Sequence, residues 1–443
     1  MIWNPEMETV PRGELEAAQL HRLQQTAHRV YERVAFYRRL FDSAGVHPGQ
    51  IRVLDDIRRL PLTHKTDFRD TYPFGLFAVP LTDVARIHAS SGTTGKPIVA
   101  GYTANDIRTW AELCARCLAS AGAQKGDVFQ NAYGYGLFTG GLGFHYGGEL
   151  MGLVVVPVSG GNTERQITLL RDFGTRILTC TPSYALTLAE ALQARGIDPG
   201  QLKLRCGILG AEPWTEAMRA EIEQKLGIDA VNIYGLTEII GPGVSVECVE
   251  EKNGMHVFED HFLVEVIDPQ TGDPVPEGQF GELVFTTLSK EALPVIRYRT
   301  GDIASVTSAP CRCGRTLARM SRVVGRTDDM LIIRGINVYP SQVESVLVAV
   351  PELSPHYQLV VTRERILDDL EVRIEVGEGV AKQLGGTFSS DEPMLAELAA
   401  RCQQKMLGVL GITAKLTLVP PGSLPRSEGG KLKRVIDQRT VYA

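Results

Sequence analysis

The 443-residue chain has no apolar run of the eighteen or so residues that a membrane-crossing helix needs. Its opening, Met1-Ile2-Trp3-Asn4-Pro5, lacks the basic and apolar stretches of a secretory signal, so a cytoplasmic location is expected. Positive charge is also short. With 46 basic against 52 acidic residues the net charge is −6, which offers no cationic field to nucleic acid or to an anionic membrane. Eight cysteines are thinly spread for this length, which argues against a disulfide framework and for free thiols. Internal repeats and low-complexity linkers are missing as well. What remains, 44% hydrophobic and 22% charged, is an ordinary folded composition in a chain too long for one compact core.

Periodicity supplies the organisation. Apolar residues at helical spacing predict helix over residues 14–39. Between about 85 and 210, apolar stretches such as Leu153-Val154-Val155-Val156 and Arg176-Ile177-Leu178-Thr179-Cys180 alternate with helical patterns such as residues 184–194, which predicts parallel strands with crossover helices. From 244 to 306 alternating strands separated by turns predict an antiparallel subdomain, and beyond 328 short strands and helices predict a small α+β unit. The expected fold class is α/β: a large amino-terminal domain, 1–327, with α/β layers and an antiparallel β subdomain, and a small α+β carboxy-terminal domain, 328–443.

Residues Ser90-Ser91-Gly92-Thr93-Thr94-Gly95-Lys96-Pro97 combine glycines, four hydroxyls and one lysine. Backbone without bulky side chains presents its N–H groups to phosphate, the hydroxyls add donors and Lys96 adds charge, so the loop suits a polyphosphate. It is not a Walker loop. Only two residues separate Gly92 from Gly95, and Pro97 stands where the metal-ligating hydroxyl should be.

Three more segments follow in order: Tyr234-Gly235-Leu236-Thr237-Glu238, then Tyr298-Arg299-Thr300-Gly301-Asp302, then Gly325-Arg326-Thr327-Asp328-Asp329 leading to Arg334-Gly335-Ile336-Asn337. With Lys431 in Pro425-Arg426-Ser427-Glu428-Gly429-Gly430-Lys431 at the far end, the set resembles the adenylate-forming enzymes. Within them the chain is similar, from about Tyr37 onward, to the phenylacetate-CoA ligase family. The specific carriers are Arg86-Ile87-His88-Ala89, residues 132–142, Gly210-Ala211-Glu212-Pro213-Trp214 and residues 292–300.

That resemblance implies an AMP-forming acid–thiol ligase that activates an aromatic carboxylic acid, phenylacetate first of all, as acyl-AMP and passes it to coenzyme A in aromatic-acid breakdown. Two other readings stand beside it: a relative that delivers the acyl group to a carrier protein or an amine, and a non-catalytic sensor of ATP and an aryl acid. By family position the phosphates fall to Ser90, Ser91, Gly92, Thr93, Thr94, Gly95 and Lys96, and magnesium to Glu238. The adenosine falls to Gly210, Ala211, Glu212, Pro213, Tyr234, Gly235, Thr237, Asp302 and Arg326. Lys431 is the implied catalytic residue of adenylation, chosen over Lys433 because Arg434 and Val435 then follow at the family's spacing, and Asp328 is the implied hinge.

Residues 133–146 interleave Tyr133, Tyr135, Phe138, Phe144 and Tyr146 with glycines and carry no lysine or arginine, which suits a flat, uncharged aromatic acid. The expected acid pocket is Tyr135, Phe138, Gly141, Ala211 and Pro242. Cys248 and His256 flank the turn Glu251-Lys252-Asn253-Gly254, and Cys311 and Cys313 lie one residue apart further on. Three thiols and an imidazole suit a tetrahedral structural zinc, although buried free cysteines explain the same residues. Cys114 and Cys117 fall in a helical pattern and are expected in the core. The sequence leaves a monomer and a homodimer both open.

Overall fold

The computed structural model describes residues 1–90, 97–327, 331–333, 336–338, 340–364, 367–385, 388, 392–427, 432 and 434–439. The helix expected over 14–39 is two helices, Arg12–Arg33 and Ala35–Ser43, because β-branched Val34 sits extended between them at φ −115° and ψ 105°. Leu15, Leu23, Ala27 and Val30 on the first and Tyr37 and Phe41 on the second are fully buried. Tyr37 carries the second helix onto the main body, since its hydroxyl accepts the Ile296 N–H at 3.2 Å and meets the Thr63 hydroxyl.

Among the described residues the largest sheet has nine strands. Val154–Val156, Val128–Asn131, Ile177–Cys180, Cys206–Gly210 and Asp229–Leu236 run parallel side by side, linked through the helices Gly140–Met151, Thr163–Asp172, Pro182–Ala194 and Glu216–Leu226. Ile177–Cys180 and Cys206–Gly210 are buried along their whole length, as strands covered on both faces must be. Gly241–Val246, Met255–Val257, Arg319–Met320 and Val306–Thr307 extend the sheet antiparallel. The antiparallel region expected over 244–306 is therefore divided, since its later strands Phe262–Ile267, Gly281–Thr287 and Tyr298–Ala304 join Gly325–Arg326 in a separate four-stranded sheet.

The start of the region 85–210 departs from the parallel pattern expected across it. Arg86–Ala89 and Val99–Tyr102 pair antiparallel as a two-stranded ribbon, because the nine residues between them are too few for a parallel crossover. From Leu331 onward a separate hydrophobic core forms around Ile333, Val343, Leu347, Leu359, Val372, Ile374, Cys402 and Met406. Helices Pro340–Val348 and Pro393–Leu410 pack there with the strands Leu353–Glu364, Leu367–Val376, Lys415–Val419 and Val435–Asp437, an α+β arrangement. No described helix is long and apolar enough to cross a membrane.

Candidate active site

Parallel strands end on one edge of the sheet, and the order reverses between Val128–Asn131 and Ile177–Cys180: the chain first adds Val154–Val156 on one side, then returns to the other. Such a reversal opens a crevice beyond the strand ends. Asn131 closes its strand at that point. Its amide donates to the Gly141 carbonyl at 2.7 Å and to the Tyr135 hydroxyl at 3.0 Å, while its Oδ1 accepts from the Thr179 hydroxyl at 2.9 Å and from the Tyr133 N–H. The glycine-rich aromatic loop is thereby pinned to two strands. A Cβ on Gly141 would come within 2.7 Å of the Gly134 carbonyl, so no other residue fits.

The aromatics of this loop divide between core and crevice. Residues 140–151 are helical, so Phe144 turns inward and stacks on Tyr133 at 6.0 Å, which removes both rings from the expected slot. Tyr146 lies under the Arg86 guanidinium at 4.7 Å. Tyr135 stays half-buried between Asn131 and His145, where burial pushes its phenol up to about 12, and Phe138 is 52% exposed beside Leu137. Pro242 reaches the same region from the antiparallel extension, its carbonyl accepting the Trp110 indole N–H at 2.8 Å while Trp110 stacks on Tyr102 at 5.0 Å. Cys114 and Cys117 are buried in the helix Ala104–Ser120, as expected of core residues.

At the next strand ends, Ala211 takes the left-handed conformation, φ 70°, that bulky residues avoid. It follows Gly210, whose Cβ position lies 2.4 Å from the Ile233 carbonyl. Glu212 turns away to accept the Ser183 N–H at 2.7 Å, fixing the start of helix Pro182–Ala194, and Pro213 follows it. The Tyr234 ring packs on Phe285 at 6.0 Å and its hydroxyl donates to Asp302 at 2.6 Å, while burial drives the phenol well above its usual range. Arg326 holds the other Asp302 oxygen and donates to the Thr300 carbonyl at 3.1 Å, from the strand paired with that of Asp302. Gly235 passes so close to Gly241 that a Cβ would lie 2.0 Å from its carbonyl. Thr237 and Glu238 follow at once, and Glu238 is buried with the Tyr298 hydroxyl 3.3 Å away.

Tyr234, Glu238, Asp302 and Arg326 are thus brought together, with Gly210 closing the neighbouring strand and Ala211 just after it. Ser90 caps the ribbon, its hydroxyl accepting the Ile98 N–H at 3.0 Å. Ser91 to Lys96, Asp328, Lys431 and Lys433 lie outside the described residues. Sequence reasoning missed Asn131 and Trp110. A polar side chain closing an apolar strand directly before a glycine-rich loop was the available signal for Asn131; Trp110, inside a helix, gave none.

The cysteine cluster assembles as its spacing suggested. Strands Gly241–Val246 and Met255–Val257 pair as a hairpin with Val246 opposite His256, and Arg319 pairs with His256 from the other side, drawing in the loop at 311–313. Ligand atoms of Cys248, His256, Cys311 and Cys313 all lie within 4.8 Å of one another; Cys248 and Cys311 sulfurs are 3.6 Å apart and the Cys313 sulfur is 3.3 Å from His256 Nε2.

Residues 26–289 match the family model of the AMP-binding enzymes and residues 335–439 that of the AMP-binding enzyme C-terminal domain. A phenylacetate-coenzyme A ligase of Thermus thermophilus is 58% identical over 99% of this chain and 100% of its own length. One of Escherichia coli is 50% identical over 100% of this chain and 99% of its own. The chain belongs to the phenylacetate-CoA ligase family. It is an AMP-forming acid–thiol ligase with ATP and CoA as cosubstrates, and the sensor reading falls away. Crystal structures of 2-hydroxyisobutyryl-CoA ligase, 31–32% identical, cover 98% of the chain and are covered to 92%. In its postadenylation state with R3-HIB-AMP that ligase superposes with a TM-score of 0.90; in its thioesterification state with 2-HIB-AMP and CoA the score is 0.72. The two states are one protein, so the difference in fit lies in conformation, and this chain superposes better on the first.

Proposed function

We propose that the acid is phenylacetate or a close aryl analogue. The observation that carries this is the pinned loop at the strand-order reversal: Tyr135 packs beside the bare backbone of Gly141, Phe138 is exposed in the same loop, and residues 133–146 hold no lysine or arginine for a second carboxylate; Ala211 and Pro242 would complete the pocket. A carboxylate resists attack by a thiol because oxide is a poor leaving group. One of its oxygens therefore attacks the α-phosphorus of ATP, and the bond to the β-phosphate breaks with its electron pair leaving on pyrophosphate. The CoA sulfur then attacks the acyl carbon, the thiol loses its proton to solvent, and AMP departs with the electron pair of the acyl–oxygen bond.

Cations and donors must meet the charge that develops on the phosphoryl oxygens. Residues 90–96 and a magnesium ion at Glu238 would serve the phosphates. Gly210 to Pro213, Tyr234, Gly235 and Thr237 would face the adenine, and Asp302, aligned by Tyr234 and Arg326, the ribose hydroxyls. Lys431 would bridge carboxylate and α-phosphate during adenylation only, and a swing about Asp328 would withdraw it for the thiol. The test is a panel of aryl and aliphatic acids with ATP, each with and without CoA, read by mass spectrometry. Acyl-CoA from phenylacetate at the highest kcat/KM is expected. An acyl-AMP that CoA does not consume would point to a carrier protein or amine acceptor, and preference for an aliphatic acid would overturn the pocket.

The cysteine cluster serves a different purpose. Three thiols and an imidazole in mutual reach are the donor set of a closed tetrahedral zinc site, with no position left for substrate. We infer that Cys248, His256, Cys311 and Cys313 hold structural zinc that fastens the hairpin to the 311–313 loop.

A further inference from the structure

Helix Pro182–Ala194 begins at the nucleotide side, where Ser183 is tied to Glu212, and two turns on it presents Glu190. The Glu190 carboxylate is 35% exposed and meets two groups from beyond residue 331. Its Oε1 lies 2.7 Å from His356 Nε2, and its Oε2 accepts from Arg426 Nε at 3.2 Å. Neither partner is loose. His356 lies in strand Leu353–Glu364 and is buried, and Arg426 forms a double hydrogen bond, 2.8 Å on each arm, with buried Glu375 of the neighbouring strand. Partial burial alone would raise the Glu190 carboxyl, yet His356 and then Arg426 carry it down to about 2. Arg426 stands five residues before Lys431.

We propose that Glu190 is a positioning residue for adenylation: through His356 and Arg426 it clamps the carboxy-terminal unit in the orientation that presents Lys431, and the clamp opens before thioester formation. This rests on the reading of Lys431 given above. The chain's better fit to one of two conformational states of the related ligase is independent support, because a clamp between the two units would hold in one state and open in the other. Glu190 is a clean point of perturbation. Its helix is held by Leu186, Leu188, Ala189 and Leu192 in the core, so loss of the carboxylate removes the bridge and leaves the packing.

The test compares Glu190→Gln, His356→Gln, the double variant and Lys431→Ala in both half-reactions: pyrophosphate exchange for adenylation, and conversion of pre-formed phenylacetyl-AMP with CoA. Partly exposed charged hydrogen bonds of this kind predict about a tenfold fall in the adenylation kcat of Glu190→Gln. KM for ATP and for the acid should hold, as should the melting temperature, and the thioester step should run at the parent rate or faster. The double variant should be no slower than Glu190→Gln, since both changes break one bridge. Equal losses in both half-reactions, additive losses, or parental adenylation by Glu190→Gln would each overturn the clamp. Failure of the lysine reading is distinct: Lys431→Ala would then adenylate normally, whatever Glu190→Gln does.

Discussion

Replacing Cys311 and Cys313 together by alanine is the sharpest perturbation of the zinc proposal, because it removes half the donor set from an otherwise surface-lying loop. A metal that joins Cys248 to Cys311 closes a loop of 63 residues. By the loop-closure relation used for cross-links, a closure of that length is worth about 4 kcal/mol, and metal clips act on the unfolded chain in the same sense. Unfolding entropy of roughly 2.1 cal/mol/K per residue amounts to about 0.9 kcal/mol/K for a chain of this size, so melting should fall on the order of 5 °C. Turnover per folded molecule should stay within about twofold, since none of the four ligands is among the groups assigned to ATP or the acid. The assay is elemental analysis of protein purified without added metal, paired with calorimetry before and after a strong chelator. One equivalent of zinc in the parent, none in the double variant, and a chelated parent that melts like the variant are expected. Substoichiometric zinc that the double substitution does not change would refute the reasoning.

Lys431→Ala should lose two to four decades of adenylation rate, roughly the value of a group that acts only on transition-state charge, yet convert pre-formed phenylacetyl-AMP with CoA at close to the parent rate. Lys433→Ala should resemble the parent in both assays, and an exchange of the two phenotypes would move the catalytic lysine by two residues. Asp328→Pro, which locks φ at the proposed pivot, should spare pyrophosphate exchange and cripple thioester formation; equal loss in both steps would sink the hinge. Asp260→Asn should destabilise the protein by about 3 kcal/mol in urea at neutral pH, because it takes from fully buried Arg116 the carboxylate that now holds it at 2.8 and 2.9 Å and leaves it only Glu112, at 2.7 Å. Burial would raise the Asp260 carboxyl, but His261 and then Arg116 outweigh it and hold it far below the usual range. Its contribution is therefore present above the unfolded value near about 3.9 and is lost as pH falls further, so parent and variant should converge only in acid.

How much was legible in the sequence depended on whether a demand was local. Parallel strands such as Ile177–Cys180 announce themselves because burial on both faces requires a continuous apolar run, and the hairpin that carries Cys248 and His256 is set by its own turn. The division of the antiparallel region was hidden: Met255–Val257 and Phe262–Ile267 have similar patterns, and only their partners, Arg319–Met320 and Gly281–Thr287, place them in different sheets. Aromatic residues misled for the same reason. Tyr133, Tyr135 and Phe144 read alike in a glycine-rich stretch, but the helix that starts at Gly140 turns Phe144 onto Tyr133 in the core and leaves Tyr135 to Asn131. Glu190 lay furthest from view. It sits in a helix most of whose other residues satisfy the core, and its partners stand 166 and 236 positions away. Nothing local requires it to be acidic. A catalytic lysine is fixed by the chemistry of one step and so leaves a motif, whereas a contact that exists in one of two domain arrangements is constrained only by the partner it meets there. Residues of that second kind, exposed on one unit and anchored on the other, are where a two-step ligase of this design can be tuned between adenylation and transfer without touching either substrate.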